Sequence, residues 1–201
     1  MNSNESGVFY FLQMRGSMIR ILAVFSAIVL LTGCVFTREK FTPVKYYDIG
    51  NPDPSKYSSV ALRVGAFTVT GPYKQEMVFR TEKNELIKDQ YNRWVQTPDV
   101  MLKRYLKMAF SEASARKDCT ITGNILSFEA DLAGKEAVFV IEYRIASSSS
   151  TDTLLVEKTS TFKVKYEGAS PDSTAGAMAT AVASFTEAVA GDLKGKSVNQ
   201  K

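Results

Sequence analysis

Hydrophobic and polar positions change period several times along this chain, and the changes mark out its elements. Val60, Leu62, Val64 and Ala66 alternate with Ala61, Arg63, Gly65 and Phe67, the two-residue period of a half-buried strand. Residues 77–80 and 85–88 read as two short strands, predicted to form a hairpin turning at Glu82-Lys83-Asn84. The period then lengthens. Met101, Leu102, Tyr105, Leu106, Ala109, Phe110 and Ala113 fall on one helical face. Thr97 is placed to cap this helix, and Pro98 takes its first position, where a missing N–H costs nothing. Asp99 and Lys103 add a favourable pair four residues apart, and Arg116 and Lys117 are expected to close the helix at the negative end of its dipole. Three longer strands follow over 120–130, 137–146 and 154–166, an expected antiparallel meander turning at 132–135 and 147–152. A second helix opens at Ser170-Pro171 with Met178, Ala181, Val182, Phe185, Val189 and Leu193 as its core stripe. The small residues Gly176, Thr180 and Ser184 are expected to let it pack closely on the sheet, and the polar tail from Gly195 is expected to be disordered. This order predicts an α+β fold, a two-layer sandwich of an antiparallel sheet with two main helices.

The pattern ahead of residue 34 is different in kind. Ile19 and residues 21–31 form an apolar run broken only by Arg20 and Ser26, too short to span a bilayer as a mature helix. Arg15 and Arg20 precede the core of the run, and Leu31-Thr32-Gly33-Cys34 follows it, the order of a secretory signal. A cysteine placed directly after Thr-Gly resembles the lipobox of bacterial lipoproteins. That resemblance implies cleavage before Cys34, a thioether from its sulfur to diacylglycerol, and an acyl chain such as palmitate on the new amine. Such a set of chains anchors a protein stably. The expected layout is a signal peptide over 1–33, a lipidated tether over 34–44, a single α+β domain over 45–194 and a tail over 195–201. Met18 is an alternative start to Met1. Val35, the second residue of the cleaved chain, is not the aspartate that retains many lipoproteins in the inner membrane, which implies the outer membrane, facing the periplasm.

Composition narrows the chemistry. Removing residues 1–33 from the 201 leaves 168, enough for one domain. Of 25 Lys and Arg, two lie in the leader, and of 21 Asp and Glu, one does, leaving 23 against 20. So small and dispersed a surplus predicts neither a nucleic-acid partner nor strong steering to anionic membranes. With Cys34 lipidated, Cys119 has no partner in the chain and reads as a small buried hydrophobe. The chain has no histidine, which excludes Ser-His and Cys-His nucleophiles, histidine bases and nearly all catalytic zinc sites. Neither a metal nor a cofactor is expected beyond the lipid on Cys34. Ser114-Ala115-Arg116-Lys117 and Lys158-Thr159-Ser160 match fragments of penicillin-binding enzymes. Ser114 falls near a helix end, however, and no Ser-Asp-Asn element accompanies it. Glu129 and Asp131 are spaced to share a face, but read as solvated strand-end charges rather than a catalytic pair. An enzyme is not expected.

Several short motifs stand in a distinctive order: Tyr47-Asp48-Ile49, Val60-Ala61-Leu62-Arg63-Val64, Met77-Val78-Phe79-Arg80, Asn84-Glu85-Leu86, Arg93-Trp94, and Pro98 ahead of Met101-Leu102. This succession resembles the ABC-type transport auxiliary lipoprotein family, outer-membrane partners of mammalian-cell-entry (MCE) domain lipid transporters. The resemblance implies a non-enzymatic subunit that helps an MCE-domain assembly bridge the periplasm for phospholipid movement and so supports membrane integrity. An envelope-assembly or lipid-binding lipoprotein unrelated to MCE transport is the alternative. Tyr47, Tyr73, Phe79, Arg80, Arg93 and Trp94 are candidates for a partner surface, because Trp, Tyr and Arg dominate interface hot spots. Core packing is the competing role for Phe79 and Trp94, and simple surface charge for Arg80 and Arg93. On the surface reading, Trp94→Ala loses partner binding with the fold intact. A ring-like or tubular partner leaves homo-oligomerisation open.

Overall fold

A computed structural model describes residues 41–113, 118–147, 153–168 and 170–198, and the residues from Pro43 onward belong to one compact unit. Seven strands form one sheet: β1 (Lys45–Tyr47), β2 (Leu62–Val69), β3 (Glu76–Arg80), β4 (Leu86–Trp94), β5 (Cys119–Asp131), β6 (Glu136–Ser147) and β7 (Leu154–Lys165). Helices α1 (Pro98–Ala109) and α2 (Pro171–Val198) complete it. The α+β expectation holds, and the strand limits of the meander fall within a residue of those predicted.

The sheet is mixed rather than antiparallel. Its order is β1-β4-β3-β5-β6-β7, with β2 on the free first half of β5. Pairings β3·β4, β5·β6 and β6·β7 are antiparallel, whereas β1·β4, β2·β5 and β3·β5 are parallel. The connection through β3, β4 and α1 returns the chain to the edge of β2 in the same direction, the long crossover that parallel pairing requires. The predicted hairpin is present. Thr81 N–H donates to Glu85 O at 2.9 Å, and Asn84 sits at φ 62°, a left-handed position that asparagine tolerates.

Alternation places Ile121, Ile125, Phe139, Ile141, Tyr143 and Ile145 on one sheet face, all buried. Across that face an aromatic chain runs from strand to helix. Trp94 meets Phe128 edge-on at 5.2 Å, Phe128 meets Phe139 at 5.9 Å, and Phe139 meets Phe185 of α2 at 5.6 Å. Each such pair adds about 0.5–1.5 kcal/mol beyond its buried area.

Both helices bury the predicted stripes, but their ends and faces differ from expectation. In α1, Thr97 makes no side-chain cap; its carbonyl accepts from Met101 N–H at 3.0 Å. The helix stops at Ala109, and the proposed closing residues Arg116 and Lys117 lie outside the described residues, as do Ser114 and most of the 147–152 turn. In α2, Ser170 Oγ caps Ser173 N–H at 3.1 Å, and the helix continues to Val198, so the tail from Gly195 begins as helix. Gly176, Thr180 and Ser184 do not face the sheet. Gly176 has nothing near its missing Cβ, and the Thr180 and Ser184 hydroxyls donate to carbonyls four residues back, at 3.1 and 3.0 Å. Close packing instead comes from Ala177, Ala181 and Val182.

Candidate functional site

Two polar clusters gather most of the residues singled out from the sequence. The first lies where β1 meets the end of β4. Gly50, at φ 76°, bends the chain just after this strand, and Asp48 Oδ1 accepts its neighbour's N–H at 2.8 Å, so β1 is only three residues long. It pairs in parallel as Lys45↔Asn92, Tyr46↔Arg93 and Tyr47↔Trp94. The Tyr47 hydroxyl donates to Asn92 Oδ1 at 3.3 Å, and Asn92 Nδ2 donates to Asp89 Oδ2 at 2.8 Å. Arg93 stands between Tyr46 on one side and Glu76 on the other, its register partners in β1 and β3. Arg93 Nε and Glu76 Oε2 are both shielded from solvent and without a hydrogen-bond partner. Tyr46 beside them is 60% exposed.

The second cluster ties β3 to β5. Parallel register sets Phe79 against Ala130 and Arg80 against Asp131, which brings the Arg80 fork onto the Glu129 carboxylate. Arg80 Nε donates to Oε1 at 2.6 Å and Nη2 to Oε2 at 3.1 Å, while the Tyr73 hydroxyl donates to Oε2 at 2.5 Å. The bond to Glu129 raises the Arg80 pKa, and burial, followed by the Glu129 bond, raises that of Tyr73. Glu129 is only 4% exposed, which corrects its reading as a solvated strand-end charge. Its neighbour Asp131 does something else: Oδ1 accepts from Ala133 and Gly134 N–H groups at 3.0 and 3.2 Å and holds the turn into β6. The two carboxylates do not work as a pair.

Trp94, 2% exposed, and Tyr73, 4% exposed, are core residues, so neither presents a partner surface. Trp94 is held there by its edge-on contact with Phe128. Phe79 is half-buried against the same core, Arg80 is committed to Glu129, and Tyr47 and Arg93 remain at the β1–β4 edge. Cys34 lies outside the described residues. Cys119 is half-buried at the start of β5, with burial raising its thiol pKa, as suits a packing role. Sequence reasoning missed Tyr46 and Glu76, whose significance comes from register across three strands. It also misjudged Glu129, which Arg80 meets 49 residues away in the chain. Among the described residues no group of acidic or cysteine side chains is arranged to hold a metal, and no helix is long and apolar enough to cross a membrane.

Among the described residues, neither polar cluster sets a nucleophile beside a base. The chain belongs to the family of ABC-type transport auxiliary lipoprotein components, whose model matches residues 51–190. A crystal structure of a Xanthomonas campestris protein is similar with a TM-score of 0.64 at 20% identity, covering 79% of this chain and 99% of that one. The crystal structure of an uncharacterized protein gives 0.62 at 15% identity, covering 75% and 99%. At these identities the likeness concerns the fold. No curated protein matches the chain.

Proposed function

We propose that this protein is the lipid-anchored auxiliary subunit of an ABC-type phospholipid transporter, held by Cys34 at the periplasmic face of the outer membrane and docking a periplasm-spanning MCE-domain protein. The observation that carries the reading is the family match over residues 51–190, which takes in β2 through β7 and most of α2. The signal-like segment ending at Cys34 supplies the anchor. The β1–β4 edge is the docking surface in this reading, because it sets an exposed aromatic, Tyr46, in register beside the charged Arg93 and Glu76. An aromatic with a charged neighbour is the composition of interface hot spots. A lipid-carrier role is less well supported, since the space between sheet and α2 is filled by Phe139, Tyr143, Phe162 and Phe185 in mutual ring contact.

Photo-crosslinking in the native envelope tests this. A crosslinkable residue at position 46 should capture an MCE-domain protein, and one at the exposed Thr161 of β7 should not. Capture of only cell-wall synthases or barrel proteins from position 46 would overturn the reading.

A further inference from the structure

A separate surface lies on the solvent side of α1. Val100, Lys103, Arg104, Lys107 and Met108 recur at intervals of three and four, so they form a second stripe opposite the buried one. With the turn residues Pro52 and Pro54 they line an open hollow of about 510 Å³. Its floor is apolar: Val100 and Met108 are 43% and 37% exposed, large hydrophobic side chains left in water on a helix whose other face is fully packed. Its rim is cationic and carries no carboxylate of its own. Arg104 Nη2 reaches out to Asp48 Oδ1, while Lys103 and Lys107 make no ion pair among the described residues.

We infer that this hollow is a contact site for an anionic bilayer surface, the apolar floor meeting the acyl–headgroup boundary and the lysines meeting lipid phosphates. The inference rests on the lipid-anchor reading above for the membrane's proximity. Three features favour a bilayer as the occupant. Cations around exposed apolar side chains are the composition of interfacial helices on anionic lipid. The Arg104–Asp48 bond places Asp48, the residue after β1, beside the hollow, three positions along the chain from Lys45, where that strand begins. Ten residues lie between Cys34 and Lys45, eleven steps along the chain and a reach of at most about 40 Å at about 3.6 Å per step. That leash keeps the domain close enough to touch the surface while leaving it free to turn.

The test uses the full-length protein extracted from membranes and reconstituted into vesicles of phosphatidylcholine, with or without phosphatidylglycerol. In a Cys119→Ser background, Met108→Cys carries an environment-sensitive fluorophore, and Ile87→Cys on β4 carries it as the control. The expected result is a blue shift at position 108 only when phosphatidylglycerol is present, reversed by salt. Lys103→Glu with Lys107→Glu should weaken that response by about tenfold or more. No shift at 108, or the same shift at 87, would overturn the inference, as would protection of position 108 by a co-purifying protein instead of by lipid. Intact mass of the same preparation reports separately whether Cys34 is acylated. If it is not, the anchor reading fails, and a Cys34→Ser version of the labelled protein, added to preformed vesicles, still decides the hollow.

Discussion

At the scale of single residues, the Tyr73–Glu129–Arg80 cluster has an asymmetry that mutation should expose. The Arg80 side chain is 31% exposed and can turn to water, whereas the Glu129 carboxylate is enclosed. Removing Arg80 therefore strands a buried charge, while neutralising Glu129 leaves a cation that hydrates itself. A broken buried pair costs about 3–5 kcal/mol when an uncompensated charge remains, whereas the amide of Glu129→Gln puts an NH2 where one oxygen accepted from Arg80, and losing that one charge-assisted bond costs about 1.5–3 kcal/mol. Arg80→Ala should thus be the worse of the two, with Glu129→Gln the milder. Urea unfolding of both variants at neutral pH checks this. Equal losses would show that the pair is not enclosed as described.

At the scale of elements, the parallel contact of β2 with β5 depends on missing side chains. A Cβ on Gly123 would lie 2.7 Å from the Glu142 carbonyl oxygen and 2.9 Å from the Phe67 ring, where the β2–β5 register shifts between Val64 and Phe67. A backbone carbonyl in a paired strand cannot move aside cheaply, so Gly123→Ala should cost about 1–3 kcal/mol. Gly176→Ala, on the open face of α2, should instead gain about 0.5–1 kcal/mol through helix propensity. Thermal unfolding should move the two variants in opposite directions, by roughly 2–4 °C per kcal/mol. The pair also marks what was legible in the sequence. Gly176 was read as a packing residue from its spacing with Thr180 and Ser184, yet an alanine-rich helix offers several faces of similar apolarity, and spacing alone does not choose among them. The stripes of α1 and α2, the β3–β4 hairpin and the β5–β6–β7 meander were legible because each depends on local periodicity and turn residues. The parallel pairings were not, nor was the meeting of Arg80 with Glu129 or of Tyr46 and Glu76 with Arg93. These are set by a crossover whose register no local pattern records.

At the scale of the whole domain, buried tyrosines make alkaline stability the most informative global measurement. Tyr57, Tyr73, Tyr105, Tyr143 and Tyr166 all have phenol pKa values raised above 10.0, with burial the largest cause in each. For each, the folded protein holds a proton that the unfolded chain releases near pH 10.0. The stabilisation is therefore complete below that pH and is lost as pH rises toward the folded value, at up to about 1.4 kcal/mol per pH unit and tyrosine. Tyr143 carries a second consequence. Its hydroxyl donates to Asp192 Oδ2 at 2.5 Å, and Lys158 Nζ donates to Oδ1 of the same carboxylate at 2.8 Å, so two sheet residues hold one site on α2. The Lys158 pKa is raised by that bond, so its titration weakens the attachment in the same alkaline direction as that of Tyr143. Tyr143→Phe should lower stability modestly near pH 8, through the lost hydrogen bond, and then flatten the decline above pH 10.0, because one titrating group is gone. Urea midpoints for the wild type and the variant should therefore converge as pH rises. If the two curves stay parallel, the Tyr143 proton is not what the fold retains, and the attachment of α2 depends on the Lys158–Asp192 pair and on packing around Phe185.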